Sequence, residues 1–116
     1  MTTCTLSVGD QTYSVTLADT EAARALAARL PLTLSMTELN GNEKYANLDQ
    51  ALPTAATQPG EIHTGDLMLY GADCLVLFYA DFTTAYSYTP LGRLVDPTGL
   101  AAALGTGGVT VTLTAN

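Results

Sequence analysis

The segment GEIHTGDLMLYGADCLVLFY, residues 60–79, contains two short apolar runs separated by Gly71-Ala72-Asp73. Short apolar runs that are bounded by turn-forming residues are typical of β-strands. Apolar residues occupy successive positions in both runs, whereas a strand with one solvated face shows an alternating pattern. The segment therefore predicts two strands that are covered on both faces.

Other parts of the chain alternate between apolar and polar residues. Residues 3–8 and 13–17 show this pattern on either side of Gly9-Asp10, which predicts an N-terminal hairpin, and residues 32–37 and 109–113 show it again. Many short strands with regular turn signals favour a small barrel, because closure removes exposed strand edges. The predicted fold class is mainly β, a closed and mostly antiparallel barrel that forms one domain over residues 1–116.

Two helices are predicted beside the strands. The main helix covers about residues 20–30, with Asp19 or Thr20 as its N-cap and Pro31 after its end. A short helix, LAAALG, follows Asp96-Pro97-Thr98-Gly99. Residues 49–60 contain two prolines and several small residues, so they are predicted to form a surface loop.

The composition excludes several classes of partner. Four Lys and Arg residues against 11 Asp and Glu residues give a formal charge of −7, so nucleic acid and anionic membrane surfaces are not expected as partners. The N-terminus MTTCTLSVGD has no basic, apolar leader, and a cytoplasmic location is expected. Cys4 and Cys74 lie in apolar segments, which predicts small buried side chains and no disulfide framework.

Three long segments carry a family resemblance: LPLTLSMTELNGNEKY (30–45), residues 60–79, and TTAYSYTPLGRLVDPTGLAAALG (83–105). They resemble the small prokaryotic proteins of cyclophilin-like fold, a mostly uncharacterised family, and the likeness covers nearly the whole chain. The resemblance implies a closed barrel flanked by helices, like that of the cyclophilin prolyl isomerases. It does not imply their activity, because this chain has no Trp and no Phe-His-Arg segment. Some members of that family are found joined to or near flavodoxin-like proteins, so the resemblance also implies a flavodoxin-like redox partner.

A polar and aromatic group of residues is the candidate binding site. Its predicted members are Asn42, Glu43, Tyr45, Tyr86, Tyr88 and Arg93. Tyrosine rings can form apolar walls of a cleft, and a guanidinium group can bind a carboxylate or a carbonyl. A structural interpretation stays open, in which the two later tyrosines cover the mouth of the barrel and Arg93 pairs with Asp96 or with backbone carbonyls.

No catalytic residue, metal site or cofactor is predicted. His63 is the single histidine, in a segment that leads into the turn Thr64-Gly65-Asp66, and no nucleophile is spaced to use it as a base. The leading hypothesis is a non-enzymatic module that binds a small molecule or a short peptide. The alternatives are a divergent or weak peptidyl-prolyl cis-trans isomerase that uses Arg93, and an interaction domain that docks onto a flavodoxin-like redox partner.

Overall fold

The computed structural model describes residues 2–116 and contains ten strands and two helices within them. In chain order the elements are β1 (Thr3–Val8), β2 (Gln11–Leu17), α1 (Glu21–Ala28), β3 (Leu32–Leu39), β4 (Glu43–Asn47), β5 (Glu61–Ile62), β6 (Asp66–Tyr70), β7 (Cys74–Phe78), β8 (Phe82–Thr83), β9 (Thr89–Leu94), α2 (Leu100–Leu104) and β10 (Val109–Ala115).

Eight of these strands form a closed barrel in the order β1-β10-β3-β4-β7-β6-β9-β2, and every neighbouring pair is antiparallel. The first and last strands of the chain pair with each other, so Cys4 lies opposite Ala115. The remaining strands, β5 and β8, form a separate two-stranded ladder outside the barrel. The predicted closed, antiparallel barrel is confirmed.

The hairpin of β6 and β7 is buried on both faces, as its sequence predicts. Leu67 pairs with Leu77 and Leu69 pairs with Leu75, and all four side chains belong to the core inside the barrel. The residues between them point outward into a second, smaller apolar cluster. We call this the outer cluster, and its buried members are Ile62, Met68, Val76, Phe78 and Tyr88.

Both helices lie close to their predicted positions. Thr20 is the N-cap of α1: its Oγ1 accepts a hydrogen bond from the backbone N–H of Ala23 at 3.0 Å and donates one to the carbonyl of Pro90 at 3.0 Å. The second bond fixes the start of α1 against β9. Neither helix of residues 2–116 is long and apolar enough to cross a membrane.

The segment after Asn40-Gly41-Asn42 continues as a strand. The polar sequence Glu43-Lys44-Tyr45 opens β4, which pairs with both β3 and β7. The loop at residues 49–60 is irregular, as predicted, but it is anchored: Leu52 is buried and Thr57 forms an isolated bridge with Tyr88.

Gly92 explains one part of the characteristic Leu-Gly-Arg sequence. It faces β2 so closely that a Cβ atom at this position would lie 2.7 Å from the carbonyl oxygen of Thr16. A side chain at this position would therefore push β2 and β9 apart, and glycine allows this side of the barrel to close.

Candidate functional site

A groove on the outer face of the barrel collects most of the predicted site residues. We call it the tyrosine groove and define it by six of its lining residues: Glu43, Tyr45, Tyr70, Cys74, Tyr86 and Tyr88. Its volume is about 280 Å³. Pockets for drug-sized ligands start at roughly 300 Å³, so this groove is suited to a small ligand.

Strand periodicity places the groove residues on one face. Glu43 and Tyr45 lie two positions apart on β4, so both point away from the inside of the barrel. The strand register then sets Tyr45 opposite Val76 and Tyr70 opposite Cys74. Three neighbouring strands therefore contribute side chains to the same outer surface.

Three tyrosine rings form one side of the groove. The ring of Tyr70 lies 6.1 Å from that of Tyr86 at an interplanar angle of 81°, and 5.6 Å from that of Tyr88 at 56°. Tyr88 is buried and packs edge-on against Phe78 of the outer cluster, with the ring centres 5.5 Å apart. Tyr86 is 65% exposed. The rings therefore run from a fixed base at Tyr88 to an exposed rim at Tyr86.

Glu43 is a buried carboxylate without a protein partner. Only 8% of this residue is exposed, and no side chain or backbone group of residues 2–116 forms a hydrogen bond or ion pair with its carboxylate. Burial, and then repulsion from Glu38, raises the pKa of Glu43 above its usual range. A carboxylate in a largely buried residue is costly when it has no partner within the protein.

The charge of Glu43 also affects two neighbours in the groove. Burial raises the pKa of the Tyr88 hydroxyl, and the carboxylate of Glu43 raises it further. The pKa of the Cys74 thiol is raised by burial, then by Asp73 and Glu43. Both groups therefore keep their protons, and the Cys74 thiolate needed for nucleophilic chemistry is disfavoured.

The inner face of β4 holds a different polar arrangement, which we call the polar plug: Lys44, Glu38 and Tyr79. The ammonium group of Lys44 is fully buried, with 0% exposure, and donates to Glu38 Oε1 at 2.9 Å and to the carbonyls of Gly105 and Gly107 at 2.8 and 2.7 Å. It also lies 5.3 Å from the centre of the Tyr79 ring. All three ammonium donors thus have partners.

Glu38 is the acceptor at the centre of the polar plug. It accepts hydrogen bonds from the Tyr79 hydroxyl at 2.6 Å and from the backbone N–H of Gly41 at 2.7 Å, besides that of Lys44. The bond from Tyr79, followed by that from Lys44, holds the pKa of Glu38 below its usual range. The same bond raises the pKa of Tyr79 to about 12.

Arg93 does not lie in the tyrosine groove. Its Nε donates to Asp66 Oδ1 at 3.0 Å, and Asp66 is buried and also accepts a hydrogen bond from the backbone N–H of His63 at 2.9 Å. Asp66 and Tyr70 lie at the two ends of β6. At a rise of ~3.3 Å per residue these ends are about 13 Å apart, so Arg93 lies at the end of β6 that is remote from the groove. Arg93 also does not pair with Asp96, whose carboxylate caps Thr98.

The other cations of the chain are also engaged outside the groove. Arg24 pairs with Asp19, and Arg29 donates to two backbone carbonyls of the loop that follows β4. With Lys44 in the polar plug and Arg93 on Asp66, none of the four Lys and Arg side chains lines the tyrosine groove. Within residues 2–116 there is also no group of three or more His, Cys, Asp or Glu side chains that could hold a metal ion.

The fold agrees with a comparison of the chain with known families. The model of a family described as "Cyclophilin-like family" matches residues 6–114. The chain belongs to the cyclophilin-like family. No curated protein sequence matches this cyclophilin-like protein.

A solved structure shares the fold of this cyclophilin-like protein. The solution structure of a hypothetical protein from Archaeoglobus fulgidus superposes with a TM-score of 0.64 and 19% sequence identity, and the match covers 99% of this chain and 95% of that one. At this identity the likeness concerns the fold alone.

The structure divides the predicted site residues of this cyclophilin-like protein into two sets. It brings together Glu43, Tyr45, Tyr86 and Tyr88, whereas Asn42 and Arg93 do not line the groove. Asn42 lies in the turn before β4, and its Oδ1 is buried without a hydrogen-bond partner among the described residues.

Two groove residues, Tyr70 and Cys74, were not predicted as site residues. The signal for Tyr70 was its alternation with Leu67 and Leu69, which face inward. That pattern places Tyr70 on the outer face of β6, but only the register of β6 with β7 shows that this face belongs to the same groove.

Proposed function

We propose that this protein binds a small molecule in the tyrosine groove and does not chemically transform it. The observation that carries the proposal is Glu43, a residue of which only 8% is exposed, whose carboxylate has no partner among residues 2–116 and which lines a groove with four of the six tyrosines. A buried charge of this kind destabilises the free protein. A ligand that pairs with it recovers that cost.

The surface around the groove supports the same proposal. Four large apolar residues of the described chain are strongly exposed, and three of them line the groove: Leu39, Tyr70 and Tyr86. Exposed apolar side chains around a polar group that is held at depth are characteristic of ligand sites.

A small molecule is favoured over a short peptide that extends the sheet. Peptides that add a strand use free backbone donors and acceptors. At the groove the N–H and C=O of Tyr88 are both bonded to Thr57 at 2.9 Å, and the N–H of Tyr86 is bonded to Thr84 Oγ1 at 3.1 Å. This part of the backbone therefore offers few free groups to a peptide.

The two alternative functions stay predictions. The isomerase alternative requires Arg93 in an apolar, water-poor groove, whereas its side chain is 66% exposed and engaged by Asp66. An isomerisation assay on a proline-containing peptide, with Arg93→Ala as the control, tests it directly. The alternative of a flavodoxin-like partner is tested by co-purification from the source cell.

The experiment for the proposed function is a small-molecule screen by thermal shift, because a compound that binds only the folded state raises Tm. The decisive variant is Tyr86→Ala, which removes an exposed ring at the rim and leaves the core intact. Its matched control is Val95→Ala, since Val95 is 66% exposed and lies outside the groove.

We expect compounds that raise the Tm of the wild type and of Val95→Ala but not that of Tyr86→Ala. The proposal fails if no compound of a chemically diverse library stabilises the wild type. It also fails if all stabilising compounds act equally on the two variants.

A further inference from the structure

The protein already contains one site for an ammonium group, on the inner face of β4. There the nitrogen of Lys44 is held by the carboxylate of Glu38 at 2.9 Å and lies 5.3 Å from the centre of the Tyr79 ring. A carboxylate supplies the opposite charge and a tyrosine ring supplies its electron-rich face. These are the two components by which proteins commonly hold a buried organic cation.

The tyrosine groove repeats these components on the outer face of the same strand, but it lacks the cation. Glu43 is its unpaired carboxylate, and Tyr45, Tyr70, Tyr86 and Tyr88 provide the rings. We infer that the groove binds a small organic cation, specifically an alkylated ammonium group, and this inference rests on the proposed function of the groove.

The geometry of the rings favours an alkylated ammonium over a primary one. On the inner face, the three N–H donors of Lys44 are satisfied by Glu38 and by two backbone carbonyls. The groove instead presents tyrosine rings, and those of Tyr70 and Tyr86 meet at 81° and form a corner. Methylated nitrogen has few or no N–H donors, and it gains most from contact with ring faces.

The charge distribution opposes other ligand classes. None of the four Lys and Arg side chains lines the groove, so a carboxylate or phosphate ligand would meet only the negative charge of Glu43. The formal charge of −7 adds a long-range attraction for cations and a repulsion of anions.

The test compares choline with 3,3-dimethyl-1-butanol, in which an uncharged carbon replaces the nitrogen and the shape is kept. Both probes are titrated into the ¹⁵N-labelled full chain, and chemical shifts around Glu43, Tyr70 and Tyr88 report binding. We expect choline to bind at least about tenfold more tightly than the alcohol, a difference of about 1.4 kcal/mol.

Two variants separate the local carboxylate from the overall charge of the protein. Glu43→Gln keeps the shape of the side chain, and we expect it to weaken choline binding by about tenfold and to leave binding of the alcohol unchanged. Asp10→Asn removes one charge from the exposed turn between β1 and β2 and should leave both affinities within about twofold, because exposed charges at a distance are screened by salt.

Each other outcome has a definite meaning. Equal affinity for the two probes in the groove overturns the inference about cations and leaves the proposed function in place. Choline binding that is unaffected by Glu43→Gln, or equally weakened by Asp10→Asn, overturns the role of the groove carboxylate. If choline causes no saturable shift, the inference is wrong, and the proposed function then depends on the separate thermal-shift screen.

Discussion

Glu43 and Lys44 are neighbours in the chain and both are buried, but they point to opposite faces of β4. Lys44 lies inside the barrel, where a carboxylate and two carbonyls satisfy all of its donors. Glu43 lies outside, in the tyrosine groove, and has no partner among residues 2–116. The same strand therefore carries one charge that is fully compensated by the fold and one that is not.

The two residues differ in how the cost of burying a charge is compensated. Removing a charge from water costs several kcal/mol, and only well-placed partners return that energy. The polar plug provides such partners within the protein itself. The tyrosine groove provides no such partner for its carboxylate, and under the proposed function a bound ligand compensates it.

The largest expected effect is at Lys44, whose charge is compensated within the protein. Lys44→Met fills a similar volume, but it removes the cation beside Glu38 and leaves the carbonyls of Gly105 and Gly107 without a donor. We expect the free energy of unfolding to fall by about 3–5 kcal/mol, the cost of breaking a buried ion pair from one side. Urea denaturation followed by circular dichroism measures this loss.

Arg29→Met is the matched control for Lys44→Met. Arg29 also donates to two backbone carbonyls, those of Gln50 and Ala51, each at 2.8 Å, but its side chain is at the surface. We expect a loss below about 1 kcal/mol, since exposed charges contribute little. Equal losses in the two variants would show that burial does not distinguish the two cations.

An intermediate effect is expected for Tyr79→Phe, which removes the hydroxyl that donates to Glu38 at 2.6 Å. Hydrogen bonds to charged groups typically contribute about 1.5–3 kcal/mol, and we expect a loss in that range. The pKa of Tyr79 is raised from 10.0 to about 12, so the stabilisation is complete below pH 10 and is lost as the pH rises through 12.

Spectrophotometric titration of the tyrosines tests the same variant independently. In the folded wild type a tyrosine should ionise with a pKa of about 12, and Tyr79→Phe should remove this transition. Tyr86→Phe, at the exposed rim, should keep it. If the transition at about pH 12 persists in Tyr79→Phe, the hydrogen bond to Glu38 is not its cause.

The smallest expected effect has the opposite sign. Glu43→Gln removes a charge that burial and Glu38 disfavour, so we expect the free energy of unfolding at pH 7 to increase by about 1 kcal/mol. The folded pKa of Glu43 is raised, so the folded wild type holds a proton that the unfolded chain releases. Wild-type stability should therefore fall as the pH rises from 4.5 through that raised pKa, and this contribution should be absent in Glu43→Gln.

Thermal unfolding at several pH values measures this effect. Asp10→Asn is the control, because it removes one charge from an exposed turn outside the tyrosine groove. A destabilised Glu43→Gln variant would mean that the carboxylate has a compensating partner, and the contrast between Glu43 and Lys44 would disappear.

The sequence predicts the barrel well because its strands carry strong local signals. The two apolar runs in residues 60–79 became β6 and β7, and the alternating segments at residues 3–8 and 13–17 became the hairpin of β1 and β2. β4 escaped prediction as a strand because Lys44 occupies one of its inward positions. A lysine is unexpected inside a barrel until its partners, which come from β3 and from the segment before β10, are known.

The site was only partly predictable for a related reason. Tyr88 and Arg93 are five residues apart, and their closeness in the sequence led to the prediction that both line one cleft. In an extended chain five residues span about 16 Å, so Tyr88 reaches the tyrosine groove and Arg93 reaches Asp66 near the other end of β6. Side chains that meet across strands, such as Tyr45, Tyr70 and Tyr88, can be recognised only from the register.

The two apolar clusters give the molecule two levels of stability. The barrel core involves all eight barrel strands, whereas the outer cluster has five buried residues, which lie on β5, β6, β7 and directly before β9. We expect the separate ladder of β5 and β8 to open locally while the barrel stays folded, so its backbone amides should exchange hydrogen with solvent faster than those of the barrel. A ligand bound against Tyr88 would slow that exchange selectively. The hydrogen-exchange rates of these amides would then report whether the groove is occupied, although the ligand contacts only part of the segment.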